Sequence, residues 1–386
     1  MPRLALVVQR YGSDIHGGSE SAARQLAEQL TALAEVHVLT TCAHDYTTWA
    51  NHYPAGESEL NGVTIHRFPV DSPRNWQQSQ QQTGLFLLSN PTLTEQMAWI
   101  QREGPFSTPL LRHIQQHASQ YDHFLFFTYV YATTFFGLPL VADKAILVPT
   151  AHDEPFLYLN AFRALFHLPR HIIYLTRAEQ ELVERVTGTA VSSHIAALGL
   201  TSPADVSANR FRQNYNLHEP FLFYGGRLAE AKNVPELITY FLNYRQQHPN
   251  QPLKLVLTGQ PQFPLPNHPD IIPIGFVSEQ DKFDGLQAAT VVVMPSLFES
   301  LSIIILEAWL LGTAVLVNGR CDVTKQQVRQ SNGGLYYHNQ DEFNATLDRL
   351  LSSPELRQRL GENGRLFTTH TYNWPHILAV YQRILS

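Results

Sequence analysis

Short apolar runs alternate with amphipathic helical stretches twice along this chain, and that alternation restricts the fold more than any other feature of the sequence. Arg3–Gln9 has the composition of a strand, Tyr11–Ser19 is a Gly-containing turn, and Ser21–Leu33 places Ala22, Ala23, Leu26, Ala27, Leu30 and Leu33 at three-to-four spacing. Apolar residues so spaced share one helical face, and that face must cover a sheet. The opening is therefore a βαβ unit. Further strands are expected at Val36–Thr41, Val63–Val70, His123–Tyr129, Lys144–Thr150 and His171–Thr176, with a helix near Ala178–Val186.

The rhythm pauses at Leu198-Gly199-Leu200-Thr201-Ser202-Pro203 and then restarts. Strands are expected at Phe221–Tyr224, Leu253–Thr258, Ile271–Phe276, Thr290–Pro295 and Ala314–Asn318, with helices at about Val234–Gln247, Glu279–Gln287 and Ser302–Leu311. Strands alternating with helices make a parallel sheet in each half. A single core rarely grows past about 250 to 300 residues, so a chain of 386 residues should split at that turn-rich segment. We expect an α/β protein of two doubly wound, Rossmann-like domains, residues 1–200 and 201–371, with a ligand cleft at the carboxyl ends of both sheets. Residues 71–120 break the pattern with a Gln-rich stretch (Gln77–Gln82) and two helices carrying Trp99 and Leu110-Leu111. They read either as a mobile surface insertion or as a wall on the acceptor side.

Composition removes several classes of function. The net charge of −6 comes without a long basic run, so no footprint for a nucleic-acid backbone exists. Cys42 and Cys321 stand far apart, which excludes a disulfide framework and a Cys-rich zinc site and fits a reducing cytosol. The eighteen histidines show no metal-ligand spacing. Leu4–Val8 is too short for a secretory or membrane-spanning segment, so a soluble cytoplasmic protein is expected, with peripheral contact at the inner face of a membrane left open.

Chemistry concentrates after two strands of the second half. Glu299 lies just past the strand ending near Pro295, and Glu307 lies about one and a half turns inside the following helix. Carboxylates so placed can reach the sugar and the ribose of one nucleotide sugar, because a carboxylate accepts both hydroxyl protons of a diol. Ser300, Leu301 and Ser302 open that helix, where free backbone N–H groups suit phosphate. The competing reading leaves Glu307 pointing from an apolar stripe, Ile303–Leu306, into solvent. Gly225-Gly226-Arg227 and Lys232 follow the first strand of this half; the Arg fork and the Lys ammonium suit a departing diphosphate, or else form an exposed turn. No Asp-x-Asp occurs, so the usual carboxylate grip on a metal-bound diphosphate is missing and no metal or other cofactor is expected. In the first half, His152 ends a strand and is followed by Asp153 and Glu154, while Gly17-Gly18 sits in the first βα turn, where glycine allows close backbone approach. The full Gly-x-Gly-x-x-Gly fingerprint is absent, which argues against a nicotinamide or flavin enzyme.

The spacing Gly226-Arg227-x4-Lys232, then Glu299-x7-Glu307, then Ala308-Trp309-Leu310-Leu311-Gly312-Thr313-Ala314-Val315 resembles the retaining enzymes of glycosyltransferase family 4, of GT-B fold. The resemblance implies that Arg227 and Lys232 bind the diphosphate and that Glu299, with the backbone of Ser300, Leu301 and Ser302, holds sugar and pyrophosphate. It further implies that Glu307 holds the ribose, the backbone at Phe276-Val277 meets the base, His152 contacts the donor sugar, and the loop of Gly17 and Gly18 lies beside donor phosphate and acceptor. Asp153 or Glu154 would orient the His152 ring or face the acceptor. The family often has Gly where Ser300 stands, Pro or Val at Ile304 and Pro at Ala314. GT-B proteins also often return their last helix, here residues 372–386, to the first domain.

The expected activity is a metal-independent, retaining hexosyl transfer from a nucleoside diphosphate sugar to a glycan, lipid-linked saccharide or small molecule, forming an α-glycosidic bond, as in polysaccharide biosynthesis. The alternatives are a nucleotide-sugar epimerase or phosphorylase on the same plan, or a non-catalytic nucleotide-sugar or glycan-binding protein.

Overall fold

The computed structural model of the chain describes residues 1–15 and 17–386. It comprises two compact units, Met1–Leu198 with Trp374–Ser386, and Gly199–Asn373.

The first unit is built on an eight-stranded sheet: β1 (Arg3–Val7), β2 (Glu35–Thr41), β3 (Gly56–Leu60), β4 (Val63–Phe68), β5 (His123–Phe127), β6 (Ala145–Val148), β7 (His171–Tyr174) and β8 (Ser193–Ile195), in the order β3-β4-β2-β1-β5-β6-β7-β8. All neighbours are parallel except β3 and β4. Strands β5 and β6 are buried at every residue, so they read as unbroken apolar runs rather than as alternating ones. The expected strands lack β3 and β8. Asn61 and Gly62, both at positive φ, close a two-residue hairpin between β3 and β4, and Asn-Gly is the residue pair that such a turn favours.

Residues 71–120 form three helices, Trp76–Leu88, Leu93–Glu103 and Thr108–His117. The Gln-rich stretch, which has no helix of its own among the expected elements, lies inside the first of them, started by the Asn75 side chain accepting from the Gln78 N–H. Trp99, Ile100, Leu110 and Ile114 are buried in the same core as Phe124, Phe126 and Phe162. Buried Gln96 accepts the Ala161 N–H at 2.9 Å, so this segment is integral to the unit. The last helix, Trp374–Leu385, also belongs here: Arg170 donates to the Ile384 carbonyl at 2.9 Å and His123 Nε2 lies 3.1 Å from that of Leu385, partnering carbonyls that a helix end leaves open.

The second unit has a wholly parallel six-stranded sheet: β9 (Phe221–Gly225), β10 (Lys254–Thr258), β11 (Ile271–Gly275), β12 (Val291–Met294), β13 (Val315–Asn318) and β14 (Gly334–Tyr337), ordered β11-β10-β9-β12-β13-β14. β14, which is only four residues long and opens on a glycine, was not expected. Trp309 is fully buried under the helix Pro354–Thr371 and donates to the Gly333 carbonyl at 2.8 Å. A Cβ at Gly364 would stand 2.2 Å from the Trp309 ring, so the helix approaches only because that position is glycine.

Each sheet reverses its direction of growth once. Strands β1, β2 and β4 run one way and β5 to β8 the other, so the reversal lies between β1 and β5; in the second sheet it lies between β9 and β12. Open α/β sheets bind ligands outside the carboxyl ends of strands at such a reversal. No helix among the described residues is long and apolar enough to cross a membrane.

Candidate active site

In the second unit the loops after β9 and β12 flank the reversal. The first runs from Gly225 through Arg227 into a short 3-10 turn, Glu230–Lys232, ended by Asn233 in the left-handed conformation (φ 57°). Gly226 adopts φ 153°, and a Cβ at Gly259 would lie 2.2 Å from the Gly226 carbonyl, so two loops touch through glycines. Arg227 is exposed at the rim. Lys232 Nζ stands 2.7 Å from Glu299 Oε1, with the carboxylate side chain 13% exposed. The two residues, 67 apart in sequence, meet because β12 pairs beside β9.

Glu299 is followed by the helix Ile303–Leu310. Its N-cap, Ser302, is buried, and the Ser302 hydroxyl has no hydrogen-bond partner among the described residues. Leu301 is buried too, whereas Ser300 is half-buried, and the start of this helix can offer a ligand backbone N–H groups. Glu307 does not point into solvent. It is 7% exposed and its Oε1 lies 2.6 Å from Lys282 Nζ, on the helix Glu279–Ala288. Burial raises the Glu307 carboxyl above its usual range against the opposing pull of Lys282. Burial alone would lower the Lys282 ammonium, yet Glu307 and then Glu279 hold it above its ordinary value. Val277, half-buried, precedes that helix; Phe276 beside it is exposed.

In the first unit the loops after β5 and β6 carry a second group. Thr128 (φ 72°) and Thr150 (φ 50°) both adopt the left-handed region and bond to each other through their hydroxyls at 3.0 Å. Left-handed backbone at a β-branched residue is strained and persists where surrounding contacts fix it. One such contact is Glu179, fully buried, which accepts the Ala151 and Leu175 N–H groups at 2.6 Å each. Burial pushes its carboxyl up to about 8 even though those backbone bonds oppose it. His152 follows Ala151, and its Nδ1 stands 3.5 Å from Glu154 Oε2. Buried Tyr129 donates to the other oxygen of Glu154 at 2.8 Å. Asp153 is exposed and accepts from Tyr158 at 2.6 Å, so of the two acidic neighbours Glu154 is the one at the ring.

Gly17 is the N-cap of the helix Gly18–Leu30. A Cβ on Gly17 would meet the Glu20 carboxylate at 2.0 Å, whereas one on Gly18 would meet nothing within 4 Å. Gly17 therefore makes room for buried Glu20, which is bonded to Arg10 and Ser19.

Residues 205–367, which contain Arg227, Lys232, Glu299 and Glu307, match the sequence profile described as "Glycosyl transferases group 1". The chain carries a glycosyl transferases group 1 domain. An uncharacterized glycosyltransferase of Methanocaldococcus jannaschii is 28% identical over 172 residues, 41% of this chain and 43% of that protein. The chain thus spans less than half the length of this curated relative. Sucrose-phosphate synthase from Thermosynechococcus elongatus superposes with a TM-score of 0.74 at 17% identity, covering 100% of this chain and 98% of that one. Anabaena HepE, solved in complex with UDP-glucose, gives 0.70 at 16% identity, covering 100% and 99%. The fold is GT-B, shared over the whole chain.

Within the group 1 domain the structure joins Lys232 to Glu299 and buries Glu307. Two partners escaped the sequence. Lys282 lies 25 residues from Glu307 and carries no motif, so only the packing of its helix reveals it. Outside the domain, Tyr129 shares no local pattern with Glu154.

Proposed function

We propose that the chain is a retaining glycosyltransferase that moves a hexose from a nucleoside diphosphate sugar, of the uridine class carried by its structural relative HepE, to a saccharide or lipid-linked acceptor. The observation that carries this reading is the pair of held carboxylates at the reversal of the second sheet, Glu299 on Lys232 and Glu307 on Lys282. Glu307 is assigned to the ribose diol, Arg227 and Lys232 to the diphosphate, and Glu299 with the backbone of Ser300, Leu301 and Ser302 to the sugar and pyrophosphate. Val277 lies at the base, and His152 contacts the donor sugar.

In the transfer, the acceptor oxygen bonds to the anomeric carbon as the bond from that carbon to the diphosphate oxygen breaks. The acceptor proton passes to the departing diphosphate, so attack and departure share one face. Charge grows on the diphosphate as the bond breaks, and Arg227 and Lys232 stabilise that charge more in the transition state than in the ground state. Lys232, already aimed by Glu299, loses little freedom in doing so. The reaction belongs in the cytoplasm, where nucleotide sugars are available.

Proton NMR of the first product formed, read from its anomeric coupling, tests the reading. An α-linked product from an α-linked donor is expected. A β-linked product would remove the retaining assignment, and release of an epimerised nucleotide sugar without acceptor would replace transfer by epimerisation.

A further inference from the structure

We propose that Glu154, itself fixed by the Tyr129 hydroxyl, is the positioning residue for His152: its carboxylate orients Nδ1–H and leaves Nε2 as the lone-pair acceptor that meets the donor sugar. The inference rests on the assignment of His152 to the donor. Its geometry stands independently of that assignment.

Three observations carry it. Glu154 is divided between two partners, with Oε1 accepting from Tyr129 at 2.8 Å and Oε2 facing His152 Nδ1 at 3.5 Å. Tyr129 is fully enclosed among Phe162 and Phe166, so its hydroxyl is a rigid anchor and not a swinging one. The backbone beneath is also held, since the Glu154 N–H donates to the His152 carbonyl at 2.7 Å and Glu179 accepts the Ala151 N–H. A carboxylate behind an imidazole fixes both the ring orientation and the tautomer. At 3.5 Å the pair is within ion-pair distance but longer than an ordinary hydrogen bond, and in ligand-free sites such contacts are often long.

Among the described residues, three titratable groups bear on Glu154 and its loop. Tyr129 faces it from the loop after β5 and His152 from its own loop, while Glu179 reaches the same loop from the helix Arg177–Thr187 through backbone. Burial raises the Glu154 carboxyl, and His152 and Tyr129 oppose that rise, which leaves its charge dependent on these two neighbours.

The experiment is histidine-directed nitrogen-15 NMR with steady-state kinetics on the full chain, comparing wild type with Glu154→Gln, Tyr129→Phe and His152→Ala, the last assigning the His152 resonance. Expected is an Nδ1–H tautomer in wild type that shifts toward Nε2–H in Glu154→Gln, because the carboxylate that accepts from Nδ1–H has been replaced by a weaker acceptor. Turnover should fall by about 10- to 100-fold in Glu154→Gln, as for other partners that orient a ligand-contacting His, with donor KM little changed. Tyr129→Phe keeps the ring volume and should show the same trend more weakly, and it carries the test should Glu154→Gln fail to fold.

An unmoved His152 tautomer in both variants overturns the proposal, as does wild-type turnover in Glu154→Gln beside an inactive His152→Ala. If His152→Ala itself keeps wild-type turnover, the donor assignment of His152 is what fails, and the NMR arm still decides whether Glu154 holds the ring.

Discussion

Replacing Lys282 by Met deletes one charge of a largely buried pair, together with an ammonium that stands 4.9 Å from the centre of the Phe283 ring. The gross attraction at 2.6 Å is about 6 kcal/mol at an effective dielectric of about 20. Most of that is offset by desolvation, so the quantity that counts is the cost of abandoning Glu307. Removing one member of a buried pair costs about 3–5 kcal/mol. Lys282 is 25% exposed, so the expected loss is nearer about 2–3 kcal/mol near neutral pH. The loss should depend on pH. The Glu307 carboxyl is raised in the folded protein, so the folded state binds more protons than the unfolded one above the usual carboxylate range, and stability falls as pH rises through that window. Lys282 limits the rise; without it the window extends upward, and the deficit of Lys282→Met relative to wild type grows as pH rises above the usual carboxylate range. Hydrogen exchange in peptides of the helix Ile303–Leu310 reads the second unit by itself. The double variant Lys282→Met/Glu307→Gln should recover most of the loss. A deficit below about 0.5 kcal/mol at high pH, or one that does not change with pH, would refute the reasoning, since scattered surface changes stay within that size.

Lys232→Gln and Arg227→Gln should each lower turnover by about 10²-fold or more while donor KM moves less, as for other donors aimed at developing charge; wild-type turnover would place the diphosphate elsewhere. Transfer should persist in excess EDTA, because the proposed charge stabilisation comes from Arg227 and Lys232; activity restored only by added Mg²⁺ or Mn²⁺ would contradict this. Gly361→Ala should destabilise the second unit by about 2 kcal/mol or more, because its Cβ would fall 1.8 Å from the Gly312 carbonyl, which is backbone and cannot swing aside; a neutral effect in urea denaturation would show that the helix Pro354–Thr371 can shift.

Periodicity made most elements legible. Apolar residues at helical spacing marked the helix after β1, and unbroken apolar runs marked β5, β6, β9 and β12, since both signals record which face of an element is buried. Elements with weak signals were lost: β8 is three residues long and β14 four. The β3–β4 hairpin carries its local signal in Asn61-Gly62, whereas the Gln-rich stretch has no apolar periodicity and forms a helix under its Asn75 cap.

Two βα series and the motif residues Arg227, Lys232, Glu299 and Glu307 are legible locally, because a strand, its following turn and the next helix are encoded within a few neighbouring residues. Their partners come from packing between distant segments. Glu299 meets Lys232 only because β12 enters the sheet next to β9, reversing the order in which strands were added. Glu307 takes Lys282 from a different helix, and Tyr129 reaches Glu154 from one strand end to the next. A charge buried away from water must find an opposite charge or a hydrogen-bond donor, but local pattern states only that it is buried; which donor stands there is set by strand order and helix packing over tens of residues.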